Sequence, residues 1–175
     1  MNYFLTDLPK RTEKPRQVGI TMAMDKGLSV REVEDFLSVC GEYVDLVKLG
    51  WGTSFVTPNL KDKIKAYKKA NVPVYFGGTL FEAFIVRGQF DDYVKVLEKY
   101  DIEYAEVSDG SIELDHEVKC DFIHKLAKKV TVLSEVGSKD VDKIIPPYKW
   151  IQLMQSELDA GAWKVIGEAR ESGNV

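Results

Sequence analysis

The stretch YVDLVKLG, residues 43–50, is apolar through most of its length and turns to Lys48 and Gly50 at its C-terminal end. A strand buried on both faces of a parallel sheet has this character. Five further runs share it in varying degree: GITMAMD (19–25), VPVYFGG (72–78), YAEVSDG (104–110), TVLSEVG (131–137) and KVIGEAR (164–170). Several lose their apolar character at the C-terminal end, where they become polar or glycine-rich.

Helical signals fill the gaps between these runs. Ser29 and Glu32 have capping-box spacing before VREVEDFLSVC, and Gly41 suits a stop. Thr57-Pro58 places proline in a first turn before NLKDKIKAYKKA. Thr79 and Glu82 repeat the capping-box spacing. DHEVKCDFIHKLAKK carries an apolar stripe at 118, 122, 123 and 126, and Pro146-Pro147 precede YKWIQLMQSELDAGA, with Gly161 as its cap.

Strand then helix, repeated, predicts right-handed crossovers and a parallel sheet. The repeating unit is about 30 residues, as in a barrel of about 250 residues divided by eight. No GxGxxG opens the first helix and no P-loop occurs, so nucleotide-binding open sheets are disfavoured. The expected fold is α/β, of the (β/α)8 TIM-barrel type, with about six βα units and the last two strands lacking. Residues 1–18, with Pro9 and Pro15, are expected to form a leader segment. Residues 19–175 are expected to form a single barrel domain, incomplete at its C-terminus.

Composition bounds the function. The 175 residues carry a formal charge of −4, so nothing global favours nucleic acid. Two cysteines, Cys40 and Cys120, form no CxxC pair and fit a reduced, cytoplasmic setting. No apolar run approaches the roughly 20 residues of a membrane span, and the first residues lack the apolar core of a signal peptide. A six-stranded sheet would leave two open edges, which predicts a homo-oligomer that covers them.

Barrel enzymes place their chemistry at the C-terminal ends of the strands. Those ends carry Asp25 and Lys26, Lys48, Gly77 and Gly78, Glu106 and Asp109, Glu135, and Glu168, Arg170 and Glu171, with Lys139 just past the fifth strand. Carboxylates there suit Mg²⁺, and cations suit phosphate, carboxylate or sulfonate groups. Plainer roles stand beside these. Lys48 and Glu135 can pair as buried charges. Asp109-Gly110 can form a turn. Gly77-Gly78 can cradle an anion or simply begin a loop. His116 and His124 share a helical segment without clustered partners; His116 and Cys120 have ligand spacing, but no further ligand lies near in sequence. Trp51 serves equally as packing or substrate contact.

Five ordered motifs, VDLVKLGWGTS, VYFGGTLFE, AEVSDGS, LSEVGSKD and EARESG, resemble those of the phosphosulfolactate synthase family of coenzyme M biosynthesis. The resemblance runs from about residue 17 onward. It implies a (β/α)8 barrel that adds sulfite to phosphoenolpyruvate, with Mg²⁺, to give 2-phospho-3-sulfolactate. Carried onto this chain, it implies metal coordination by Glu135, Asp109 and Glu168. Lys48 and Arg170 would hold the anionic groups and Lys139 would donate the proton; the strand-end positions of Gly77, Gly78, Asp25 and Glu106 add them as substrate contacts. Archaeal members tend to have lysine directly after EVG; here Ser138 stands there and Lys139 follows. Members continue through two more strands. Plant heat-stress-associated proteins also resemble this family, so a non-catalytic stress or interaction role is the alternative expectation.

Overall fold

The computed structural model describes residues 5–139 and 144–168. Its strands are β1 (Met22–Asp25), β2 (Leu46–Leu49), β3 (Val74–Phe76), β4 (Tyr104–Val107), β5 (Thr131–Val136) and β6 (Lys164–Gly167). All five pairings are parallel, and the strands stand in sequence order, β1 to β6. The sheet curls as part of a barrel of the TIM type, as the repeat length predicts. Among the described residues, β1 and β6 are paired on one side only.

Six α-helices cover the convex face: α1 (Val30–Cys40), α2 (Leu60–Lys69), α3 (Gly78–Ile85), α4 (Phe90–Lys99), α5 (His116–Ala127) and α6 (Pro147–Asp159). The capping box at Ser29 forms in both directions. The Glu32 N–H donates to Ser29 Oγ at 3.3 Å, and the Ser29 N–H donates to Glu32 Oε2 at 2.7 Å. Pro147 opens α6, where its missing N–H costs nothing. Gly161, at φ +115, follows the cap residue Ala160.

Two local expectations change. Thr79 is not a cap: α3 begins at Gly78 with Gly77 before it, so Thr79 lies inside the helix. Pro58 precedes α2 by more than a first-turn position, because Asn59 is the cap and Leu60 the first helical residue. The stretch after Thr79 forms two helices, broken around Gly88, whose φ of +66 suits glycine.

The register decides which side chains share a face. Lys48 stands beside Tyr75, Glu106 beside Leu133, and Glu135 beside Ile166. These point to the concave side. Leu49, Phe76 and Ala105, on the opposite face, pack under the helices with Val33, Tyr67, Phe81, Tyr93, Leu97, Ile123 and Leu126. Arg16 of the leader segment bonds Asp45 Oδ1 at 2.9 Å, and Arg11 bonds Thr21 Oγ1 at 2.6 Å, so its described part docks at the start of β1 and β2. No helix is long and apolar enough to cross a membrane among the described residues.

Candidate active site

A lysine inside a strand buried on both faces needs a counter-charge, because an isolated ammonium there would be expelled or neutralised. Lys48 has two. Its Nζ lies 2.6 Å from Glu106 Oε1 and 3.2 Å from Glu135 Oε2. Burial alone would lower its pKa, but Glu106 and Glu135 outweigh burial and raise it. Lys48 therefore stays charged. Glu106 is fully buried and also accepts from the Gly78 N–H at 2.6 Å and the Tyr75 hydroxyl at 3.1 Å. Burial pushes its pKa up, against the pull of Lys48.

Glu135 sits at the centre of a second group. Burial would raise its pKa, but a hydrogen bond from Glu168 and the charges of Lys48 and Lys139 hold it down at about 2. Glu168 is pushed the other way, up to about 7, by burial and by its bonded neighbour Glu135. Two like groups in contact cannot both ionise freely, so one proton is shared, and it resides on Glu168. Lys139 Nζ stands 3.6 Å from Glu168 Oε2 and 3.9 Å from Glu135 Oε1. Its backbone N–H donates to the Gly110 carbonyl at 3.0 Å, which fixes the loop after β5 against the loop after β4.

Ser108 and Glu82 complete the group. Ser108 follows Glu106 by two residues, so both face the concave side. Its Oγ lies 2.6 Å from Glu82 Oε1 and 3.1 Å from Glu135 Oε1. The Ser111 N–H donates to the same oxygen of Glu82 at 3.3 Å. The alternation along β4 signals Ser108; Glu82 was legible only as a presumed capping partner, a reading that hides its role.

The structure thus brings together Lys48, Glu106, Glu135, Glu168 and Lys139, and it corrects four other expectations. Asp25 shares the face of Leu49, not of Lys48. Its carboxylate turns to the helix layer, taking bonds from Lys63 at 3.0 Å, Tyr67 at 2.9 Å and the N–H groups of Gly27 and Leu28. Asp109 is likewise drawn outward, 2.7 Å from Lys119 Nζ, so it does not join Glu135 and Glu168. Gly77 and Gly78 offer no free anion cradle: the Gly77 N–H donates to Leu49 O at 3.0 Å and the Gly78 N–H to Glu106. Their smallness is what counts. A Cβ on Gly78 would overlap Ser108 and lie 2.9 Å from Glu106 Oε1, and one on Gly77 would lie 2.9 Å from Lys48 Cε. Arg170 lies outside the described residues.

Two peripheral groups take other roles. Trp51 is 56% exposed, with Lys26 Nζ 4.7 Å from its ring centroid. Cys120 Sγ lies 3.6 Å from His116 Nε2, on the outer helix layer. Among the described residues no three His, Cys, Asp or Glu side chains are grouped to hold a metal ion.

Comparison with known proteins places this geometry. Residues 9–175 match the model of the (2R)-phospho-3-sulfolactate synthase (ComA) family. A phosphosulfolactate synthase from Bacillus subtilis (strain 168) is 37% identical over 175 residues, covering 99% of this chain and 69% of that protein. One from Methanocaldococcus jannaschii is 45% identical over 162 residues, covering 90% of this chain and 64% of that protein. The chain therefore spans about two thirds of the length of the curated relatives it matches. In fold it is similar to 3-hexulose-6-phosphate synthase, with TM-score 0.51 and 16% identity over 85% of this chain and 66% of that one. It is also similar to the carboxyl transferase domain of Rhizobium etli pyruvate carboxylase, with TM-score 0.58 and 12% identity over 88% of this chain and 27% of that one. The ordered strand-end motifs and the extent of the sequence match lead to one conclusion: the chain belongs to the (2R)-phospho-3-sulfolactate synthase family.

Proposed function

We propose that this chain carries the reaction of its family, the addition of sulfite to phosphoenolpyruvate to give 2-phospho-3-sulfolactate. The observation that carries this reading is the meeting of Lys48, Glu135, Glu168 and Lys139 at the C-terminal ends of β2, β5 and β6. Sulfite sulfur bonds to the methylene carbon, and the alkene pair moves toward C2 and the carboxylate as an enolate. A proton delivered to C2 completes the addition.

Each described residue has a share in that course. Lys48, kept cationic between Glu106 and Glu135, supplies fixed positive charge where the substrate's negative charge grows. Lys139, with a side chain 35% exposed, reaches from its loop and is the proton donor to C2. Arg170 would add a second fixed cation for phosphate, carboxylate or sulfite.

Magnesium fits part of the donor set. Glu135 and Glu168 offer adjacent hard oxygens, and Glu168 Oε2 is buried without a hydrogen-bond partner among the described residues. These two side chains would hold the ion, with Asp109 withdrawn on Lys119. When bound, Mg²⁺ supplies Lewis-acid neutralisation of the substrate carboxylate.

A second reading has its own support. The concave mouth presents Glu82, Glu106, Glu135 and Glu168 against Lys48 and Lys139 among the described residues, an excess of negative charge for an anionic substrate. That favours a non-catalytic relative with an interaction role, in which copies of the chain cover the edges of β1 and β6 that are unpaired among the described residues. Sulfite-dependent loss of phosphoenolpyruvate by the purified, folded chain with Mg²⁺ distinguishes the two. Turnover supports the synthase reading, and none rejects it for this chain. Sedimentation at low concentration checks the assembly: a stable monomer removes it.

A further inference from the structure

We propose that Lys119, on the outer helix α5, is a positioning residue that sets both Glu135 and Lys139. This inference rests on the reading of the concave mouth as the reaction site. The Lys119 side chain is 1% exposed. Its Nζ donates to the backbone carbonyl of Glu135 at 2.6 Å and to Asp109 Oδ1 at 2.7 Å. It also lies 2.8 Å from Glu157 Oε1 of α6. Glu157 Oε2 in turn accepts from Ser134 Oγ, the neighbour of Glu135, at 2.5 Å.

Two lines of support run from this ammonium to the mouth. The first is direct. The peptide that carries the Glu135 side chain is gripped from behind by Lys119, while its carboxylate is held in front by Lys48 and Ser108. The second passes through a loop. Lys119 fixes Asp109; the next residue, Gly110, presents the carbonyl that accepts the Lys139 N–H at 3.0 Å. A shift of a proton donor by about an ångström is enough to cost a large rate factor. One charge on the far side of the sheet therefore aligns a cation-binding carboxylate on β5 and an ammonium on the loop that follows it. Two carboxylates, Asp109 and Glu157, answer its charge. A buried charge so paired is a device for fixing geometry more than for adding stability.

The test is Lys119→Met, read by amide hydrogen exchange and by steady-state kinetics. The expected result is exchange at the Lys139 amide raised by about tenfold or more, with the amides of Val47 and Gly77 unchanged as controls. For turnover, kcat should fall by about tenfold or more with KM for phosphoenolpyruvate held within about twofold. Unchanged exchange at Lys139, exchange raised equally at the controls, or an unchanged kcat beside raised exchange overturns the proposal. If Lys119→Met does not fold, Asp109→Asn decides, because it keeps Lys119 while weakening the second line; an unmoved Lys139 amide then overturns the inference. If the unsubstituted protein shows no turnover, the synthase reading fails, and the exchange measurement still decides the positioning of Lys139.

Discussion

Lys48 Nζ on β2 lies 2.6 Å from Glu106 Oε1 on β4, so the pair reaches across the intervening strand β3. Such a contact across an intervening strand requires a curved sheet and a small residue at the strand end between the two. Gly77, two residues after the Lys48 partner Tyr75, provides the room.

Removing the cation leaves buried Glu106 with only the neutral donors Tyr75 and Gly78, and Glu135 with Lys139 at 3.9 Å as its remaining counter-charge among the described residues. Lys48→Met should cost roughly 3–5 kcal/mol of unfolding free energy, the usual penalty for orphaning buried charge. Urea titration at neutral pH measures it. A loss below about 1 kcal/mol, the range of exposed pairs, would show that the carboxylates are solvated instead.

Glu135→Gln keeps the size of the side chain and removes its charge. Turnover should fall by at least about a hundredfold, consistent with loss of a charged group at the reacting centre. Mg²⁺ is expected to raise the Tm of the unsubstituted protein and to leave that of the variant unmoved, by the linkage of ligand binding to folding. Unchanged turnover, or an undiminished Mg²⁺ effect on Tm, would remove Glu135 from the ion's coordination.

The shared proton predicts a distinct pH dependence in metal-free buffer. Glu168, raised from 4.5 to about 7, keeps a proton in the folded state that the unfolded chain releases, so its contribution to stability is full below pH 4.5 and lost as pH rises toward 7. Glu135, lowered from 4.5 to about 2, contributes in the opposite sense: its stabilisation is present above pH 4.5 and lost as pH falls toward 2. Thermal melts should show a decline from about pH 4.5 to about pH 7 that Glu168→Gln abolishes. An equal decline in that variant would assign the slope to other groups.

Gly78→Ala adds one methyl where Ser108 and Glu106 already meet the backbone. The expected loss is about 1–3 kcal/mol, the range for overpacking a filled site. Turnover should fall with it, because Ser108 must move from Glu135. Full stability and activity in this variant would show that the loop gives way instead.

Much of this was legible before any coordinates. All six strands fall within the runs that begin with YVDLVKLG, and the paired state of Lys48 follows from its place in a buried strand. What escaped was direction. A strand apolar on both faces carries no alternation to tell inside from outside, so Asp25 and Lys48 look alike as strand-end ions although they point to opposite faces. Asp109 was ambiguous for another reason. Its orientation is set by Lys119, ten residues away on a helix whose apolar stripe says nothing about a buried ammonium. Glu82 was concealed by a spacing that satisfied a capping rule while the real helix start lay at Gly78.

The strict β1-to-β6 order has a consequence for synthesis. Among the described strands, each ribbon from β2 onward pairs with the one made just before it, so none of these pairings waits for a strand further along the sequence. A nascent chain leaving the ribosome can lay down the sheet one unit at a time, in the order of translation.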